Sequence, residues 1–175
     1  ISYQADHEYW QAEQDQGWGP PDMIISSPPF TVPAESGDQW WEPEADMADV
    51  IDIEMPERRW IKGVETRPFD EESGYVFHHA NTFIQRSGDT WEGGGRLSGS
   101  AVGKRMDMYP ADSGKLLLRD DEIHFSMHLF PIGREVVDAR IQVGVWFYPE
   151  EEEPLYITPD EISFNAGESR DLGLP

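Results

Sequence analysis

Hydrophobic and polar residues alternate along much of the chain, and this alternation predicts β-strands. In residues 139–148, for example, Ile141, Val143 and Val145 fall on one face of an extended segment, as a half-buried strand requires. Only residues 6–16 have a helical pattern, and Gly17 ends it. Segments rich in apolar and aromatic residues, several of them alternating, predict strands at residues 49–55, 59–67, 74–85, 115–118, 122–130 and 139–148.

Proline, glycine and charge runs separate the predicted strands. Residues 20–41 contain five prolines and are predicted to be extended, at the edge of a sheet. Residues 86–100 are rich in glycine and are predicted to form a long loop, and the acidic run at 149–154 is predicted to be a solvent-exposed strand exit. Short strands with turn signals between them are typical of an all-β protein built as an antiparallel sandwich or barrel.

The length and composition indicate a single folded domain with a strongly acidic surface. The chain has 175 residues, of which 35 are acidic and 13 basic, for a formal net charge of −22. This charge argues against nucleic acid as a partner and disfavours anionic membrane surfaces, but it suits cations and basic proteins. The absence of cysteine excludes disulfides, thiolate metal sites and cysteine nucleophiles. No apolar run is long enough for direct membrane insertion.

Histidines carry the clearest chemical signal in the sequence. His78 and His79 stand side by side within "VFHHANTF", where apolar residues surround them. Neighbours on a regular strand point to opposite faces, so one interpretation places one ring in the core and the other in solvent, each satisfied by hydrogen bonds. His124 and His128 share a face of one predicted strand about 13 Å apart, which is too far for both to bind one ion. One of these two is therefore a spectator.

A second interpretation is a metal site made of three imidazoles. An unpartnered imidazole is costly to bury among apolar side chains, and a bulge or strand end near Asn81 and Thr82 would let both neighbouring rings reach one ion. A third imidazole from "FSMHLF" would complete the site from a second strand, with His7 left at the surface. Neutral imidazole suits copper, zinc, nickel and iron, and copper binds nitrogen donors most tightly among the divalent ions.

Longer stretches of the chain carry a family resemblance. They include, in order, "WGPPDMIISSPPFTVPAESGDQWW", "MPERRWIKGVETRPFDEESGYVFHHANTF" and "FSMHLFPIGREVVDARIQVGVWFYP". The paired histidine after E-x-R-P and the single histidine in the last stretch are the most diagnostic elements. The chain thereby resembles the N-terminal half of the copper type II, ascorbate-dependent monooxygenases, which include peptidylglycine α-hydroxylating monooxygenase and dopamine β-monooxygenase. The resemblance is closest to bacterial members, in which this module often accompanies c-type cytochrome domains.

The resemblance implies that His78, His79 and His128 hold one electron-transfer copper, usually called the H site, with zinc a less favoured ion. It also implies an antiparallel jelly-roll β-sandwich of about eight strands, and export to the periplasm or the cell exterior. In that family, hydroxylation takes place at a second copper, held by an H-x-H pair and a Met on a second domain. This sequence contains no H-x-H. We therefore expect no catalytic residue in the chain alone, and an oxidoreductase role only within a larger monooxygenase.

Three parts are expected along the chain: an N-terminal extension at 1–19, the copper-monooxygenase-like domain at 20–149, and an acidic tail or linker at 150–175 that leads toward a second domain. The expected partners are that second copper-site domain or a c-type cytochrome, and subunits of a larger membrane-associated complex. Two other functions stay open. One is a jelly-roll interaction or structural subunit of a periplasmic or membrane-associated complex that lacks copper. The other is a three-histidine zinc site with an open position for water.

Overall fold

Two β-sheets form most of the protein. The computed structural model describes residues 9–86, 95–101 and 104–158, and in these residues thirteen strands and three short helices follow one another along the chain. Eight strands have four or more residues, and the other five have two or three. The prediction of an all-β antiparallel sandwich is confirmed.

The elements are named here in chain order. The strands are β1 (Met23–Ser26), β2 (Phe30–Val32), β3 (Gln39–Trp41), β4 (Glu44–Asp46), β5 (Arg58–Pro68), β6 (Phe77–Gln85), β7 (Gly95–Ser100), β8 (Met106–Met108), β9 (Ser113–Leu118), β10 (Glu122–Leu129), β11 (Val136–Ala139), β12 (Ile141–Phe147) and β13 (Tyr156–Ile157). The helices are α1 (Gln11–Asp15), α2 (Met47–Val50) and α3 (Glu71–Val76).

Strand order separates the chain into two main sheets. The six-stranded sheet has the order β1-β12-β5-β9-β13, with β8 also paired to β5. The five-stranded sheet has the order β3-β10-β6-β7, with β4 also paired to β10. Strands β11 and β2 form a separate pair. All of these pairings are antiparallel except that of β13 with β9. Of the strands in the described residues, only β6 and β7 are consecutive strands that pair, so the fold depends on contacts between residues far apart in the sequence.

The hydrophobic core combines residues of both main sheets. Val64 and Val145 come from the six-stranded sheet, and Phe125 and Met127 come from the five-stranded sheet, and all four are fully buried. On β10 the core residues are at odd positions, so the alternation of the strand directs the even-numbered residues to the outer face of the five-stranded sheet. Two histidines of β10 lie on that outer face.

Residues 9–19 cover the outer face of the six-stranded sheet. Trp10 packs edge-on against Trp146, with 6.0 Å between ring centroids. A Cβ atom at Gly144 would lie 2.9 Å from the Trp10 ring, so this close approach requires glycine. The fully buried carboxylate of Glu65 accepts hydrogen bonds from the backbone N–H groups at the start of α1. The helix predicted within residues 6–16 is confirmed as α1, and Gly17 follows it with a φ of 65°.

The predicted strand at 49–55 is wrong. Its first residues belong to α2, and in the rest only Ile51 makes a β-bridge, with Ile25. The helix buries Met47 and Val50, which are three residues apart and therefore share a helical face. One turn of helix thus buries Met47 and Val50 in the core, and the alternation at 49–55 does not form a strand.

Two other predicted boundaries also need correction. The strand predicted at 74–85 begins only at Phe77, because α3 precedes it and Asp70 caps that helix by accepting a hydrogen bond from Ser73 N–H. Within the loop predicted at 86–100, residues Gly95–Ser100 form β7, which pairs with β6. Residues 87–94 of that prediction lie outside the described residues. The acidic run at 149–154 is mostly exposed, as predicted.

Candidate metal centre

The three histidines singled out in the sequence lie together at one end of the five-stranded sheet. His79 on β6 is directly opposite His128 on β10, and the ring centroids of this pair are 4.8 Å apart. The ring of His78 is 5.2 Å from that of His128 and 5.4 Å from that of His79. In the part of the chain that the structure describes, these residues are the one group of three or more histidine or carboxylate side chains arranged to hold a metal ion.

A β-bulge brings the neighbouring rings to the same side of the sheet. His128 pairs with His79, but the next residue of β10, Leu129, pairs with Phe77, so His78 is the extra residue of β6. In a regular strand the side chains of His78 and His79 would point to opposite faces. The bulge that the sequence called for is therefore present in β6. Against β10 it lies at His78, ahead of the expected position, and β6 also shifts register against β7 between Thr82 and Phe83.

The spacing of the imidazole nitrogens is close to that of ligands on one ion. One nitrogen from each ring belongs to a set whose members all lie within 4.8 Å of one another. His78 Nδ1 and His128 Nδ1 are 3.1 Å apart. Two nitrogens bound to one tetrahedral ion at about 2.0–2.1 Å are themselves about 3.3–3.4 Å apart. The nitrogens of His78 and His128 are therefore spaced nearly as ligands of one ion, and the three rings together could hold a metal ion.

The electrostatic environment favours the unprotonated form of His79. Burial, followed by the nearby charges of His128 and His78, lowers the pKa of His79 below its ordinary value of 6.5. Metal ions bind neutral imidazole and compete with protons for it. A lowered pKa therefore prepares His79 for metal binding at neutral pH. The ring of His78 is exposed and those of His79 and His128 are half-buried, so the group is open to solvent on one side.

Two residues at β3, Asp38 and Trp40, flank the His128 ring, and the sequence did not single them out. Trp40 on β3 is opposite His128 and stacks on its ring at 4.8 Å, with an angle of 20° between the planes. Trp40 also contacts His79 edge-on at 4.9 Å, and 54% of its surface is exposed. Asp38 places Oδ2 3.3 Å from His128 Nε2. Asp38 and Trp40 are two residues apart, which puts them on one face of an extended segment, but only the strand pairing shows which residue they face.

His124 does not join the group, although it lies on the same face of β10. Its side chain is buried, its Nδ1 is 3.5 Å from Glu44 Oε1, and its ring packs against Phe83 at 5.8 Å. The residue opposite His124 on β6 is Phe83, so no second imidazole faces it across the sheet. This arrangement agrees with the expectation that one of the two β10 histidines is a spectator. His7 lies outside the described residues.

Comparisons with known proteins assign no family to the chain. No protein-family model matches it, and no curated protein matches it. In the described residues, no helix is long and apolar enough to cross a membrane. The geometry of the histidine group therefore carries the functional interpretation, and it supports a metal-binding site whose donors are three imidazoles.

Proposed function

We propose that this protein is the electron-transfer copper domain of a copper-dependent monooxygenase, and that its histidine group corresponds to the family's H site. One observation carries the proposal: His78, His79 and His128, which the sequence resemblance names as ligands, lie within ligand distance of one another at a β-bulge. The antiparallel sandwich agrees with the jelly-roll fold that the resemblance implies.

The donor set supports copper over other ions. The candidate ligands are all imidazoles, and neutral imidazole is a good donor for copper, zinc, nickel and iron. Among divalent ions, copper binds such nitrogen donors most tightly. Magnesium and calcium prefer oxygen ligands, and the carboxylate closest to the group, on Asp38, is directed at the far nitrogen of His128. A zinc site is the competing assignment.

In this proposal the chain binds the ion, and another domain carries out the hydroxylation. When bound, copper would supply one-electron chemistry by alternating between Cu(II) and Cu(I). His79 and His128 are fixed by strand pairing and by Trp40, while the exposed ring of His78 leaves one side of the centre accessible. An accessible centre suits electron exchange with a second copper-site domain or a cytochrome. Export to the periplasm or the cell exterior is part of the same proposal.

Metal analysis of the purified protein tests the proposal. We expect one copper per chain after loading and removal of excess metal, with an electron paramagnetic resonance signal of a nitrogen-coordinated Cu(II). Replacement of His78, His79 or His128 by Ala should abolish stoichiometric binding, and His124→Ala should not. Protein that takes up zinc and refuses copper in direct competition would overturn the copper assignment. Protein that retains neither metal would overturn the site.

A second function is favoured by a different surface. Leu155, Tyr156 and Ile157 are large apolar residues, each more than 60% exposed, at the β13 edge of the six-stranded sheet. Exposed apolar groups next to one another are typical of contact surfaces. The chain could therefore serve as a jelly-roll interaction subunit of a larger periplasmic or membrane-associated complex. A complex that forms equally well with a triple-alanine variant of the histidine group would support this function over the first.

A further inference from the structure

Asp38 and His78 contact opposite nitrogens of the His128 ring. Asp38 Oδ2 is 3.3 Å from Nε2, and His78 Nδ1 is 3.1 Å from Nδ1. We propose that Asp38 is the positioning residue of the metal centre: it accepts a hydrogen bond from His128 Nε2–H and so selects Nδ1 of His128 as the atom that binds metal. This inference deepens the proposed function, because it assigns a role at the same site.

The hydrogen positions follow from the chemistry of the two contacts. The proposal places the proton of His128 on Nε2, because the Asp38 carboxylate 3.3 Å away can accept a hydrogen bond and cannot donate one. A neutral imidazole has one protonated nitrogen, so Nδ1 of His128 then has a free lone pair. The 3.1 Å contact with His78 needs one proton between its two nitrogens, and His78 Nδ1 must supply it.

The contact between His78 and His128 would hold either a proton or a metal ion. In the metal-free protein, the proton on His78 Nδ1 holds the two rings together through the hydrogen bond to His128 Nδ1. With His78 and His128 as ligands through Nδ1, the neutral His78 ring would carry its proton on Nε2 instead. His128 keeps its proton on Nε2 throughout. Both rings are neutral in either case, and the hydrogen bond of the empty site keeps the donors close to their metal-bound spacing.

Trp40 limits the alternatives open to the His128 ring. It stacks on that ring almost in parallel, and it also contacts His79, so it restricts rotation of His128 about its side-chain bonds. Ring orientation is thus held by stacking, and the tautomer is selected by Asp38. Carboxylate partners of this kind commonly fix the tautomer of metal-binding histidines, and their loss typically lowers metal affinity about 10- to 100-fold.

Nitrogen NMR of the metal-free protein tests the tautomers without any metal. With ¹⁵N-labelled histidine at about pH 8, above the ordinary histidine pKa of about 6.5, we expect His128 to show a protonated Nε2 and an unprotonated Nδ1. His78 should show the opposite tautomer. Asp38→Ala should convert His128 to a mixture of tautomers. Glu44→Ala, which removes an equally exposed carboxylate beside His124, should leave the His128 signals unchanged.

Metal titration supplies the second arm, with Zn²⁺ as a probe that does not broaden NMR signals. We expect Asp38→Ala to weaken Zn²⁺ binding about 10- to 100-fold and Glu44→Ala to leave it nearly unchanged. On saturation, the proton of His78 should appear on Nε2. A wild-type His128 that is protonated on Nδ1, or an Asp38→Ala variant that behaves like Glu44→Ala in both arms, would overturn the inference. If copper fails to bind while the tautomers are as expected, the proposed function fails and the positioning role of Asp38 stands.

Discussion

The two histidines of β10 differ in their surroundings although they share a strand and a face. His128 and His124 are four residues apart, and each has a carboxylate oxygen within 3.5 Å, from Asp38 and Glu44 respectively. His128 faces two further imidazoles and is partly open to solvent. His124 is buried against the ring of Phe83. A carboxylate beside a histidine is thus common to both ends and does not make a metal site.

The opposite strand makes the difference. At the His128 end, β6 presents His79 directly across the sheet, and the bulge adds His78 to the same side. At the His124 end, β6 has its regular register with β10 and presents Phe83. One irregularity in strand pairing, combined with two adjacent histidines, thus converts a structural histidine position into a candidate metal centre.

The largest effect is expected from removal of the histidines themselves. His128→Ala should weaken copper binding by more than about 100-fold, because loss of a mere partner of a ligand already costs about 10- to 100-fold. His124→Ala should change copper affinity very little, since that ring lies outside the group. Competition titration with a copper chelator of known affinity measures both. Equal losses in the two variants would show that the two ends of β10 do not differ in the way described.

A histidine introduced opposite His124 tests the role of the bulge. Phe83→His places an imidazole opposite His124, so that this end has two facing imidazoles but no third one and no bulge against β10. We expect the new pair to bind copper at least about 100-fold more weakly than the existing group, again judged against the cost of losing one supporting group. A variant that holds two copper ions with similar affinity would contradict the importance of the bulge.

For the free energy of unfolding, the larger loss is expected at the His124 end of β10 rather than at the metal centre. His124 is buried and contacts both Glu44 and Phe83, so His124→Ala should lower the free energy of unfolding of the metal-free protein by about 1–2 kcal/mol. His78 is exposed, and His78→Ala should change it by no more than about 0.5 kcal/mol. Urea denaturation in the presence of a chelator gives both values. A larger loss in His78→Ala would mean that the metal-free group is itself a structural element.

The smallest expected effect is on the pH dependence of the free energy of unfolding. The pKa of His79 is lowered in the folded protein, first by burial and then by its two histidine neighbours, whereas the unfolded chain titrates near 6.5. The unfolded state therefore binds more protons than the folded state as the pH falls through 6.5, and the metal-free protein loses stability in that direction. His79→Gln should reduce this loss relative to wild type when urea denaturation is repeated above and below pH 6.5. An unchanged pH dependence would contradict the assigned shift.

Sequence patterns predicted four of the longer strands well, because segments rich in apolar and aromatic residues between turn signals mark buried strands. Strands β5, β9, β10 and β12 lie close to the predicted ranges. The prediction failed at residues 49–55, whose first two residues belong to the short helix α2, and at 95–100, where a glycine-rich segment becomes a strand by pairing with β6. The strand β7 depends on pairing with β6, and the helix α2 depends on packing into the core. Local periodicity contains no information about either contact.

The candidate site was predictable in part for a similar reason. Adjacent histidines and a third one in "FSMHLF" indicated a group of three, and the need for a bulge followed from strand geometry. The contacts of Asp38 and Trp40 with His128 were not predictable, because they require the register of β3 against β10. Strand register between distant segments is set by the whole sheet, so the residues that orient a ligand become visible only in the folded protein.

X-ray absorption spectroscopy of the copper-loaded protein tests the central claim most directly, because it reports the atoms bound to the metal. We expect one copper per chain, with scattering from three imidazole rings whose nitrogens lie about 2.0 Å from the ion, by analogy with zinc–imidazole distances. A first shell made of carboxylate oxygens without imidazole scattering, or a protein that retains no copper, would contradict it.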